Sequence, residues 1–191
     1  LLMTILFIHF TICSTIITEI GTKKHLYPLL LQYIFEQSLL QHTYSKYYAE
    51  LVNILHNKFN DLDLINKNID LSYQTITKPV LQDSSEYSNL CSKNKQIDQL
   101  IGHSIFVSEL EMKGIIKNKI DVSIQSILEQ MNLELSEDEL YKCVLCLHNI
   151  FKVIYNDKPI HQEYIDSLTS IKDKLKFMKI KFKIMDILER R

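Results

Sequence analysis

Glycine and proline are scarce in this chain of 191 residues, three of each, and tryptophan is absent. Tight hairpins, phosphate-cradling loops and many-stranded sheets all lean on Gly and Pro at their turns, so this shortage argues against each of them. Gly21, Gly102 and Gly114 stand alone, no Gly-rich phosphate loop can be assembled from them, and no GxSxG elbow occurs. Long helices joined by polar turns are the economical alternative. An excess of charge is lacking too: 22 Lys and Arg against 23 Asp and Glu leave a net charge of -1, which does not suit a wholly basic nucleic-acid surface. The four cysteines, Cys13, Cys91, Cys143 and Cys146, are too few and too scattered for a disulfide framework and point to a reducing compartment, cytoplasm or nucleus.

What is present fits one domain with a sizeable core: hydrophobic residues make up 46% and charged residues 24%, close to soluble averages. The opening segment LLMTILFIHFTICSTIITEI is apolar. It lacks a basic leader and a small-residue cleavage site, and His9, Thr11, Ser14, Thr15, Thr18 and Glu19 interrupt it, so a buried first helix is expected rather than a membrane span. Because residue 1 is Leu, the chain is expected to be a piece of a longer protein, its first helix covered by a predecessor.

Apolar residues recur at helical spacing in blocks. They predict helices at about 3–18, 24–40, 44–58, 71–90, 95–112, 117–131, 136–154, 160–174 and 179–190. Ser136 opens SEDE with Glu139 three residues on, a capping-box pattern, and Pro159 sits where a helix can begin. The Asn-, Asp-, Ser- and Thr-rich stretch from Phe59 predicts a loop at 59–70, an irregular helix, and a second loop near Ser92, making an irregular region near 59–95. Residues 175–185 carry two conflicting periods. Lys and apolar residues partly alternate as in a strand, yet Ile180, Ile184, Ile187 and Leu188 form a helical stripe, and a lone strand among helices would leave its backbone unpaired; helix is the choice. Helix pairs recurring every forty residues or so suit an all-α, HEAT-like solenoid of antiparallel pairs.

Catalytic chemistry finds no home in this pattern. Cys143, Cys146 and His148 in KCVLCLH lack the second ligand pair that a zinc site needs and lie within an apolar helix, so they read as core, with no metal or cofactor expected. Glu109, Glu111, Glu137, Asp138 and Glu139 read as solvated helix faces. The remaining feature is a basic, aromatic-bearing run: Lys172, Lys174, Lys176, Phe177, Lys179, Lys181, Phe182 and Lys183, closed by Glu189, Arg190 and Arg191. It suits phosphates or an acidic protein partner, or else a solvated helix end whose Lys stems cover apolar neighbours.

Three blocks, in order, resemble the middle domain of the eukaryotic translation initiation factor 4G family. The first is YIFEQSLLQHTYSKYYAELVNIL, through Ile34, Phe35, Glu36, Ser38, Tyr44, Ser45, Tyr48, Ala49 and Leu51. The second is LIGHSIFVSELEMKGIIKNKI, through Gly102, Ile105, Phe106, Glu109 and Leu110. The third is KIKFKIMDILERR, through Ile180, Phe182, Ile184, Asp186 and Arg191. The resemblance spans most of residues 26–191, and the Ile-, Asn- and Lys-rich composition suits a divergent viral or parasite version.

The resemblance implies a HEAT-repeat crescent, about nine of its helices in this chain, that is not an enzyme. It implies a cytoplasmic scaffold that clamps a DEAD-box RNA helicase of the factor 4A type and helps recruit mRNA to the ribosome, with a cap-binding protein held by segments outside this chain and no membrane. Phe182 falls at the family's helicase-binding Phe. Lys179, Lys181, Asp186, Glu189 and Arg190 would surround it, and Lys172, Lys174 and Lys176 would contact RNA. The pattern also departs from the family. His103 replaces the Asn of the Leu-Gly-Asn motif, Gln96, Ile97, Asp98 and Gln99 replace a basic run, and no amino-terminal helicase signature surrounds Met3 and Thr4. The same fold serves nonsense-mediated decay, cap-binding, poly(A)-binding-protein-interacting and splicing scaffolds, which form the alternative class.

Overall fold

The structure, a computed structural model, describes residues 18, 23–77, 86–133, 135–155 and 160–189. All regular structure in these residues is helical: α1 Tyr27–Leu40, α2 Ser45–Phe59, α3 Leu62–Thr77, α4 Glu86–Met112, α5 Lys119–Met131, α6 Glu137–Ile154, α7 Gln162–Lys174 and α8 Met178–Glu189. Two single 3-10 turns, Lys24–Leu26 and His42–Tyr44, lead into α1 and α2. Residues 3–17 of the helix expected at 3–18, together with Gly21, Pro159, Arg190 and Arg191, lie outside the described residues.

The Asn- and Asp-rich stretch behaves differently from the expectation. Instead of a loop at 59–70, the chain turns in two residues: Asn60 closes α2 in the left-handed conformation (φ 50°), its N–H donating to His56 O at 2.7 Å, and Asp61 Oδ1 accepts the Leu64 N–H at 3.0 Å at the start of α3. Asn tolerates that conformation and Asp suits a helix start, so the two polar residues are punctuation rather than loop. Ile65, Ile69 and Ile76 then form the buried stripe of α3. The polar side chains between them turn back on their own helix, Asn68 donating to Leu64 O and Ser72 to Ile69 O, both at 2.8 Å. Of the helix expected at 71–90, residues 71–77 end α3 and residues 86–90 begin α4, with 78–85 outside the described residues, and no loop occurs at Ser92, which α4 crosses without a break.

The end of α4 is a glycine stop. Gly114 has φ +73°, its N–H donates to Glu111 O at 2.8 Å, and the Ile115 N–H reaches five residues back to Leu110 O at 3.1 Å, the paired bonds of a Schellman ending. Ile115 is buried behind it. At α6 the predicted capping box is formed: Ser136 Oγ accepts the Glu139 N–H and Glu139 Oε2 accepts the Ser136 N–H at 3.0 Å. At 175–185 the helical period wins. Only Leu175–Phe177 are non-helical, and Ile180, Ile184 and Ile187 face inward along α8.

Packing follows an alternating order. Helices α2, α4, α6 and α8 each contact the next of the set and make one layer, while α1 packs on α3 and α5 on α7 in a second layer. Two cores result. The first surrounds Leu31, Phe35, Val52, Leu55, Ile65 and Leu110, with Phe35 edge-on to Phe106 at 5.0 Å. The second surrounds Ile124, Leu147, Ile150, Leu168, Ile180 and Ile184. Each such Leu or Ile contributes about 1.5–3 kcal/mol by leaving water, and this burial holds the layers together. Gly102 brings α4 onto α1: a Cβ there would lie 2.6 Å from Leu39 O, so only the missing side chain permits the approach.

Candidate partner-docking face

The three buried isoleucines of α8 fix what its other face shows to solvent. Met178, Phe182 and Met185 follow at steps of four and three, so they share one stripe of the helix. All three are exposed, Phe182 to 58% and Met178 to 57%, and Phe177 adjoins them from the turn before the helix. Phe182 is thus a surface residue, set apart from the core that its neighbours Ile180 and Ile184 fill. Phe177, Met178 and Met185 complete the apolar patch. Stepping by helical spacing from Phe182 finds Met178 and Met185 in the sequence.

The charged residues expected around Phe182 differ in what the described residues offer them. Lys179 Nζ lies 3.9 Å from the centre of the Tyr141 ring, a cation–π contact that ties α8 to α6. Asp186 pairs with Lys183 at 3.5 Å along the same helix. Lys181 is half-buried and Glu189 exposed. Lys172 is half-buried and lies 3.6 Å from Asp173, whereas Lys174 and Lys176 are exposed where α7 gives way to α8. In sequence, Lys174, Lys176, Lys179 and Lys181 lie toward the amino-terminal end of the apolar stripe, and Asp186, paired with Lys183, and Glu189 lie toward the carboxy-terminal end. No acidic residue occupies the first turn of α8, so the positive end of the helix dipole adds to the lysines. An apolar centre with one basic and one acidic margin is the make-up of an interface with an anchor and a polar rim.

The Cys143, Cys146 and His148 group, expected in the core, is buried only in part. Cys146 and His148 are buried and Cys143 half-buried. Burial pushes the Cys143 thiol up to about 11, with the neighbouring Cys146 adding to it, and burial also raises Cys146, so both are neutral thiols near neutral pH. Among the described residues no three His, Cys, Asp or Glu side chains converge as metal ligands. Nor is any helix of those residues long and apolar enough to cross a membrane.

Comparison of the chain with family models, with curated proteins and with solved structures finds no match.

Proposed function

We propose that this chain is a non-catalytic, HEAT-type scaffold of the translation initiation factor 4G kind, working in the cytoplasm and docking a DEAD-box RNA helicase of the factor 4A type on α8. The observation that carries the proposal is the exposure of Phe182, within an apolar stripe margined by lysines, at the position that the family resemblance marks for helicase contact. The alternating two-layer packing, with each helix also contacting a neighbour in sequence, supports a solenoid. Lys174 and Lys176, exposed at the basic end of the stripe, are the RNA-facing groups in this reading, with mRNA as the ligand.

The test is direct binding to a purified factor 4A-type helicase. Exposed aromatic anchors at interface centres typically contribute about 2 kcal/mol or more, so Phe182→Ala should weaken binding roughly thirtyfold. Unchanged affinity in a folded mutant rejects Phe182 as the anchor, and no binding by the wild-type chain rejects the helicase. Selective binding to a helicase of a decay or splicing complex would move the chain to the alternative scaffold class.

A further inference from the structure

The two layers do not close everywhere. Helices α3 and α5 follow one another in the second layer, yet they are not packed together as α1 and α3 are, or α5 and α7. The space between them is a cleft of about 320 Å³, floored by α4 and α6, and an ion pair, Lys119 to Asp70 at 3.7 Å, spans its walls. Its surface is mainly apolar: Ile69 of α3, Val107 of α4, Ile127 of α5 and Cys146 and Ile150 of α6. Protein interiors are close-packed, and an apolar recess of this size falls in the range that binds small molecules.

Charge then narrows the occupant. Besides its histidine the lining holds one acidic and two basic side chains, Asp70, Lys119 and Lys142, and the first two answer one another. Lys142, half-buried on α6 beside Cys143, makes no ion pair with any described residue. His103, also in the lining, is held neutral by burial, which lowers its pKa, and its Nε2 lies 3.3 Å from Ile69 O. The two cysteines are neutral thiols and offer no ready nucleophile. Among the described residues, one cation of the lining is left without a counterion, over an apolar floor.

We infer that this cleft is a binding site for a small amphipathic monoanion, a medium-chain carboxylate whose head pairs with Lys142 and whose chain lies on Ile69, Val107, Ile127, Cys146 and Ile150. The inference is independent of the α8 face, which uses none of these residues.

The probes are decanoate and decylammonium, titrated into the full chain by calorimetry below their micelle-forming concentrations. Decanoate should bind saturably at one site, and decylammonium, with the same chain and the opposite head, at least about tenfold more weakly. Lys142→Met should weaken decanoate by about fivefold or more while the melting temperature holds. Ser123→Trp, which places an indole at the α5 wall, should abolish binding with helicity retained. Equal binding of the two probes, undiminished decanoate binding by either variant, or no binding by the wild-type chain overturns the inference.

Discussion

The carboxylate of Glu111, at the end of α4, caps the next helix: its Oε2 accepts the Lys119 N–H at 2.7 Å and the Ile120 N–H at 2.8 Å. Asn118, which precedes α5, adopts a left-handed conformation (φ 60°) and gives no side-chain cap of its own. Glu111 is buried at this junction rather than solvated, as its place on a charged helix had suggested. A carboxylate facing two amide donors at a helix start also meets the positive end of the dipole. Glu111→Ala should therefore lower stability by about 1–3 kcal/mol, read as a lower denaturant midpoint at unchanged slope, and Glu111→Gln should lose less. An unmoved midpoint in Glu111→Ala would show that the two N–H groups find other partners.

Gly102 and Gly114 separate two reasons for glycine. At Gly102 the added methyl of Gly102→Ala meets the Leu39 carbonyl backbone, which cannot rotate away, so α1 and α4 must part. The expected cost is about 1–3 kcal/mol or more. At Gly114 nothing lies within reach of a Cβ, but φ is +73°, so Gly114→Ala carries only the backbone penalty of about 1 kcal/mol. Equal losses for the two variants, measured by chemical denaturation, would contradict this assignment.

His103 makes stability pH-dependent in acid. Burial lowers its folded pKa below the unfolded value of about 6.5, although the Ile69 carbonyl and Asp70 act in the opposite direction. The unfolded chain then binds more protons than the folded one across that window, so stability falls as pH drops below about 6.5 and levels off once the folded imidazole also charges. Melting curves between pH 8 and pH 5 should show the fall, and His103→Gln should flatten it. A variant with the same acid slope as wild type would locate the titration elsewhere.

Tyr27 and Tyr164 mark the alkaline limit. Burial, with Asp61 nearby for Tyr27 and the Asp121 carboxylate accepting the Tyr164 hydroxyl at 3.1 Å, pushes each up to about 12. A raised folded pKa means stability present below about 10 and lost as pH rises through the folded value. Of the ten tyrosines, these two should ionise last in an ultraviolet titration, and Tyr164→Phe should remove one unit of the late amplitude. A late amplitude untouched by that substitution would remove Tyr164 from the group.

Features set by neighbours in sequence were readable before the structure. Ser136 and Glu139 are three residues apart, and a capping box needs nothing more distant. The inward side of α8 followed from the spacing of Ile180, Ile184 and Ile187 alone. The start of α3 was misread because its polar residues were counted as loop material, whereas Asn60 and Asp61 are a helix stop and start and Asn68 hides its amide against its own helix. Glu111 and Lys142 were out of reach for another reason. One depends on a turn that folds back onto the preceding helix, the other on α3 and α5 failing to meet, and neither relation is local in sequence.

Phe182 and Ile184 lie two residues apart on α8 and should answer truncation in opposite ways. Ile184 is fully buried in the second core beside Ile180, so Ile184→Ala removes buried carbon and leaves a cavity, at a cost of about 2–5 kcal/mol. Phe182 keeps most of its surface in water. Its removal deletes few protein contacts, and a substitution at such a position usually moves stability by about 0.5 kcal/mol or less. An apolar side chain that contributes so little to folding yet remains exposed beside Met178 and Met185 is consistent with an anchor for a partner. Thermal melts of the two variants provide the comparison. A loss for Phe182→Ala as large as that for Ile184→Ala would mean that Phe182 packs inside the fold, and the docking face on α8 would lose its centre.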